Sequence, residues 1–164
     1  MQRREQEQQF RQWAHDHAAI LQHITRGFAA DADQEDLLQE ILLAVWHAVP
    51  SYRGAASPST FIYRIAQNTA MTWRRSVRYH EKTDELDAAS PAAPPPDNKY
   101  ARTRALYAGI RELPEADRSL LLLHLDELSY REIADVTGLS ESNVGARLTR
   151  ARKKLAMLMK ENGA

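Results

Sequence analysis

Cysteine is absent from the 164 residues. That excludes a disulfide framework, thiolate zinc sites and a cysteine nucleophile together, and it fits a reducing compartment. Net charge is absent as well, because 22 basic residues balance 22 acidic ones, so the overall charge points to neither nucleic acid nor membrane. No run approaches the ~20 apolar residues of a membrane span. The opening MQRREQEQQFRQW is charged from the start and lacks the apolar stretch of about 7–15 residues that a signal peptide needs. A soluble, cytoplasmic protein without direct membrane insertion is expected. Period-two alternation is missing, which leaves no reading as half-buried strands. HExxH, a glycine-rich phosphate loop and a serine elbow are also missing. The histidines are scattered, and His15 and His17 face different ways on a helix and do not share a metal. The expectation is a protein that is not an enzyme and needs no cofactor or metal.

What is present is helical periodicity, and the expected class is all-α: two small helical domains joined by a flexible Pro/Ala-rich linker. Phe10, Trp13, His17, Ile20, Leu21, Ile24 and Phe28 recur at spacings of three and four and predict one long first helix. A second helix is expected from Asp33 or Gln34 to Val49, stopped by Pro50. Ser57-Pro58 reads as an N-cap with proline at the first helical position, opening a third helix to about Tyr79. The stretch DELDAASPAAPPPDN, residues 84–98, holds four of the seven prolines and reads as an exposed, partly polyproline-II linker. The expected division is residues 1–83, linker 84–98 and residues 99–164. Domains this small bury only about 60% of their unfolded surface, which leans toward stabilisation by a partner.

Beyond the linker, helices are expected over Tyr100–Leu113 and Pro114–Leu125. Ser129-Tyr130-Arg131-Glu132 matches a capping box for a short helix ending at Thr137-Gly138, and Ser140 caps a final helix to about Lys160. A short capped helix, a glycine turn and a longer helix make a helix-turn-helix. On the last helix Val144, Leu148, Ala151, Leu155 and Leu158 form one apolar stripe, opposite Ser142, Ala146, Thr149 and Lys153. Small outward residues let the backbone approach base edges, while Arg147, Arg150, Arg152 and Lys153 can reach phosphates. The plainer alternative is a solvated basic end on a helix bundle.

Charge is segregated in the N-terminal half. Asp31, Asp33, Glu35, Asp36 and Glu40 precede a basic run of Arg53, Arg64, Arg74, Arg75, Arg78 and Lys82, which suggests separate surfaces for separate partners. On the second helix Leu37, Ile41, Ala44 and Ala48 point one way, and Asp36, Glu40, Leu43 and His47 the other. Leu43 among acids, with Gln39 and Trp46 near, fits a protein interface, or else Leu43 and Trp46 are buried by the first helix. On the third helix Phe61, Ile62, Ile65, Thr69 and Trp73 are expected to face a core. Tyr63, Arg64, Gln67, Met71, Arg74, Arg75 and Arg78 are expected outward, with Asn68 at the boundary. An aromatic and arginine surface of this kind, extended by Tyr52 and Arg53, suits single-stranded DNA, or it is a bundle surface with aromatics under arginine stems.

These segments, in this order, resemble the extracytoplasmic-function sigma factors, the smallest members of the sigma-70 family of bacterial RNA polymerase subunits. EDLLQEILLAVW resembles the family's core-binding segment and YRGAASPSTFIYRIAQNTAMTWRR its minus-10 segment. LPEADRSLLLLHLDELSYREIADVTGLSESNVGARLTRARKKL resembles its minus-35 domain. The resemblance implies that Asp36, Gln39, Glu40, Leu43 and Trp46 meet RNA polymerase core. It implies that Tyr52, Arg53, Phe61, Tyr63 and Asn68 shape a pocket for a flipped, single-stranded minus-10 base, with Arg64, Arg74 and Arg75 on nearby phosphates. Ser142, Asn143, Ala146, Arg147, Thr149, Arg150 and Lys153 would read the duplex minus-35 element. An anti-sigma factor is the further partner implied. Gly145 departs from the pattern, standing where many relatives carry a basic residue. The competing reading is a stand-alone helix-turn-helix regulator whose first domain dimerises or senses a ligand.

Overall fold

In the computed structural model, described for residues 1–83 and 98–161 with side chains left aside at 78–83 and 98, helices follow the sequence's own punctuation closely. They are α1 (Arg3–Asp16), α2 (Ala18–Phe28), α3 (Gln34–Ala48), α4 (Pro58–Thr83), α5 (Asn98–Glu112), α6 (Glu115–Leu125), α7 (Tyr130–Thr137) and α8 (Glu141–Glu161), and the described residues contain no strand. Short 3₁₀ turns at Asp31–Asp33 and Val49–Ser51 flank α3.

The single first helix expected from the spacing is two helices. His17 takes a non-helical backbone (φ −113°, ψ 17°) and both ends α1 and begins α2. The third helix runs on to Thr83. The expected linker lies outside the described residues except for Asn98, which already opens α5.

The C-terminal caps form as expected. Ser129 Oγ accepts from the Glu132 amide at 3.1 Å while Glu132 Oε1 accepts from the Ser129 amide at 3.1 Å, satisfying two helix-end donors reciprocally. Gly138 closes α7 at φ +80°, a conformation that glycine adopts without steric cost. Ser140 Oγ accepts from the Asn143 amide at 3.1 Å and caps α8.

Helices α1 to α4 pack together, with α4 against α2 and α3, and α5 to α7 pack around α8. The two groups also pack on each other, α2 against α5 and α6, and α4 against α7. Helix α6 is the element they share. Leu120, Leu121, Leu122 and Leu123 are all buried, which one apolar face of an isolated helix cannot explain. Ile20, Ile24, Phe28, Leu37, Ile41 and Ile62 fill the N-terminal side of this core, and Ile110, Ile133, Val144 and Leu148 the C-terminal side.

Candidate nucleic-acid and polymerase-binding surfaces

Helix α3 buries Leu37, Ile41 and Val45 and leaves Asp36, Gln39, Glu40 and His47 exposed. Leu43 is 57% exposed, so the first helix does not cover it. Trp46 behaves differently. Phe10 meets its ring edge-on at 5.5 Å, and Gln6 Nε2 donates to its carbonyl at 2.9 Å. Of the two expected interface apolars, Leu43 is open and Trp46 is half-buried under α1.

The turn before α4 is built on aromatics. Trp13 is buried, and its ring meets Tyr52 at 5.2 Å and Phe61 at 5.8 Å; Tyr52 and Phe61 are 5.0 Å apart. Such pairs add about 0.5–1.5 kcal/mol each beyond area burial. The Tyr52 hydroxyl donates to the Ala56 carbonyl at 2.7 Å, and Arg53 reaches back to the Pro50 carbonyl at 3.2 Å. Tyr52 and Phe61 thereby form one rigid wall, with Arg53 exposed beside it.

Along α4 the outward orientation expected of Tyr63 and Gln67 does not hold, since both are buried, at 9% and 5% exposure. The physical reason is that the C-terminal helices lie on this face. Gln67 Nε2 donates to the Ser119 carbonyl of α6 at 3.3 Å, and Arg64 Nε donates to the Asp135 carbonyl of α7 at 3.0 Å. His17 meets the Tyr63 ring edge-on at 5.9 Å. Burial, reinforced by Asp126 and Glu132, pushes the Tyr63 hydroxyl up to about 12. Arg75 Nε lies 3.6 Å from Glu115 Oε2. Ile62, Ala66 and Ala70 are the most buried positions of α4, while Phe61, Ile65, Thr69 and Trp73 are half-buried. Asn68 remains exposed, and Arg74 is half-buried.

Helix α8 presents Ser142, Asn143, Ala146, Thr149, Arg150 and Lys153 to solvent while Val144, Leu148 and Ala151 are buried. The Thr149 hydroxyl donates to the Gly145 carbonyl at 3.0 Å. A Cβ at Gly145 would stand 3.2 Å from the ring of Tyr130, a tight approach to a side chain that is itself 40% exposed. Arg147 is turned toward α6, its Nη2 3.8 Å from Asp117 Oδ1, with Lys154 Nζ 3.9 Å from the other carboxylate oxygen. Arg152 turns to His124 instead, and burial followed by that guanidinium lowers the His124 pKa below 6.5.

The three expected residue sets therefore stand differently. The α3 and α8 sets are largely open, whereas part of the α4 set is covered. Arg64 and Asn68 of α4 and Arg147 of α8 line one cleft of about 170 Å³ between the two helix groups. The residues that make this closure, Glu115, Ser119 and Asp135, were not singled out from sequence. Their signal was the uninterrupted Leu120–Leu123 run, apolar on every face of its helix. Among the described residues no group of three or more His, Asp or Glu side chains is arranged to hold a metal ion, and no helix is long and apolar enough to cross a membrane.

Residues 10–79 match the family model for sigma-70 region 2, and residues 103–155 that for sigma-70 region 4. The RNA polymerase sigma factor YlaC of Bacillus subtilis is 33% identical over 128 residues, covering 74% of each chain. The chain belongs to the sigma-70 family. It is a sigma factor of the extracytoplasmic-function group, whose SigG member from Mycobacterium tuberculosis is 30% identical over 83% of this chain and 44% of that protein. As a sigma factor it serves transcription initiation, with a DNA-binding helix-turn-helix in region 4. The fold is that of two solved proteins. The chain aligns with RpoE of Bartonella quintana, solved with the anti-sigma factor NepR, at a TM-score of 0.73 and 21% identity over 93% of this chain and 97% of that one. It aligns with CnrH, solved with the cytosolic domain of CnrY, at 0.66 and 23% over 94% and 90%.

Proposed function

We propose that this sigma factor binds RNA polymerase core through the exposed face of α3 and directs it to promoters read at two elements. Asp36, Gln39, Glu40 and Leu43 supply the core contact, with Trp46 at its edge. The observation that carries this reading is that Asp36, Gln39, Glu40 and Leu43 lie open together on a helix whose other face is buried, Leu43 at 57% exposure, within the segment that matches sigma-70 region 2. Residues 1–83 form the unit for core and minus-10 DNA, residues 99–164 the unit for minus-35 DNA, and residues 84–98 the linker.

At the minus-10 element Tyr52 and Phe61 wall a pocket for a base flipped from the single strand, completed by Tyr63 and Asn68. Arg53, Arg64, Arg74 and Arg75 take the neighbouring phosphates. Base stacking on aromatics contributes about 1–3 kcal/mol, which offsets an unstacking cost of a few kcal/mol. At the minus-35 element Ser142, Asn143, Ala146 and Thr149 approach base edges, and Arg147, Arg150 and Lys153 neutralise phosphates. The protein works by binding and not by bond chemistry, which belongs to the polymerase.

Base capture by α4 requires the C-terminal helices to withdraw, because Tyr63 and Gln67 are covered by them. The packed form is thus a resting form, and core binding selects the separated one. The sigma factor RpoE, of like fold, was solved with the anti-sigma factor NepR, and such a partner is proposed here too. A cytoplasmic location follows from work on the polymerase.

Run-off transcription with purified core on a pool of promoter fragments tests the proposal. Discrete, protein-dependent transcripts sharing two upstream elements are expected. Duplex DNA binding without core and without transcripts would favour a stand-alone regulator.

A further inference from the structure

At the junction of the two helix groups lies a second cleft, of about 120 Å³, formed by Arg26 of α2, Asp31 of the turn before α3, Gln34 of α3, and Tyr100, Thr103, Arg104, Tyr107 and Arg111 of α5. Its charge is unbalanced. Three guanidinium groups face a single carboxylate, and Arg104 Nη2 already holds that carboxylate at 2.7 Å. Arg111 Nη1 donates to the Arg26 carbonyl at 2.8 Å, which brings the α5 arginine against the end of α2. The Arg26 guanidinium lies 5.9 Å from the centre of the Tyr107 ring. Arg111 is half-buried with Arg104 as a like-charged neighbour, and burial first, then Arg104, makes its charge harder to keep, against the pull of Asp31.

We propose that this cleft is a binding site for a small phosphate-type oxyanion, either free or as the phosphate end of a nucleotide. Arginines recognise such groups through paired N–H donors of fixed geometry, and Arg104 and Arg111 on one side with Arg26 on the other supply them from both helix groups. The volume decides the ligand's size: sites for drug-sized molecules run from roughly 300 Å³ upward, so a cleft of about 120 Å³ takes one or two phosphate groups and leaves any base outside, against Tyr100, which is 61% exposed at the rim. Because the lining comes from both groups, the anion favours their packed arrangement over their separation.

Isothermal titration of the full chain with inorganic phosphate, pyrophosphate and GTP at matched ionic strength tests this. Saturable one-to-one binding is expected for at least one of them, with a thermal midpoint that rises with ligand concentration. Binding of phosphate or pyrophosphate as tight as that of GTP assigns the free anion, and a preference for GTP assigns the nucleotide end. Arg111→Gln and Arg104→Gln should each weaken binding about tenfold. Arg104 is well exposed, so its variant keeps the test open if the Arg111 variant folds poorly. Asp31→Asn, which removes the competing carboxylate, should tighten binding several-fold. Arg150→Ala on α8 should leave it unchanged. An absence of saturable binding, or equal losses in Arg150→Ala and Arg104→Gln, or weakening by Asp31→Asn, would overturn the site, the second of these assigning the effect to the DNA-facing basic surface.

Discussion

Gly27 of α2 and Leu122 of α6 share one volume: a Cβ added to the glycine would stand 2.5 Å from Leu122 Cδ1 and 2.6 Å from Cδ2. Leu122 is fully buried, so the leucine of the region-4 match fills the notch left by the missing side chain in the region-2 match. This contact joins the two halves where no covalent neighbour requires it.

Gly27→Val should therefore force α2 and α6 apart. Overpacking of a tight contact costs about 1–3 kcal/mol, and separation of the halves relieves it while uncovering Tyr63 and Gln67. The expected outcome is a larger radius of gyration by small-angle scattering and a lower thermal midpoint. Binding of a single-stranded minus-10 oligonucleotide by the free chain should rise. Unchanged scattering and an unchanged midpoint would mean that the contact does not hold the packed form.

Asp117 restrains Arg147 and Lys154 across the helix-turn-helix. Asp117→Asn removes that restraint and frees Arg147 for phosphate. Ion pairs of this kind contribute about 0.2–1 kcal/mol, so a few-fold gain in minus-35 duplex affinity is expected. The slope of affinity against salt should steepen by about one phosphate contact. Affinity that falls instead would show Asp117 to be needed for the shape of α8.

What could be read along the chain was whatever local chemistry decides. Ser129 and Glu132 satisfy each other within one turn, Gly138 takes φ +80° at the end of α7, and Ser57-Pro58 opens α4, so these boundaries were legible. The break at His17 was not, because neither proline nor glycine marks it and the apolar spacing runs through it. The burial of Tyr63 and Gln67 was illegible for a different reason. Both are polar enough to face water, and their cover comes from Ser119, Asp126 and Glu132, more than fifty residues further along the chain. Leu43 could be identified as unusual but not as exposed, since the choice depended on where α1 lies; α1 covers Trp46 and leaves Leu43 open.

The division of labour between α3 and α8 is testable with two substitutions at exposed sites. Leu43→Ala should weaken core binding by more than about 1 kcal/mol if the leucine is an interface anchor, with DNA contacts and thermal midpoint unaltered. Arg150→Ala should weaken minus-35 binding and flatten its salt slope by about one, leaving core binding intact. Fluorescence anisotropy with core and with duplex measures both. Equal losses of both activities in both variants would refute separate surfaces.

Acid should destabilise the packed protein through His17 and His124. Burial holds both below the ordinary 6.5; Asp16 opposes it at His17, and Arg152 adds to it at His124. Each histidine resists protonation only when folded, so between its folded pKa and 6.5 the unfolded chain binds more protons, and stability rises with pH there. This contribution is complete above about pH 6.5 and is lost as pH falls through that value toward the folded pKa. Urea midpoints measured across this range should decline on acidification. His17→Gln should flatten the decline without removing it, since His124 still titrates. Because His17 packs edge-on against Tyr63 at 5.9 Å, its protonation also charges the helix junction under the covered face of α4. A midpoint for the unsubstituted protein that rises on acidification would show that other groups dominate.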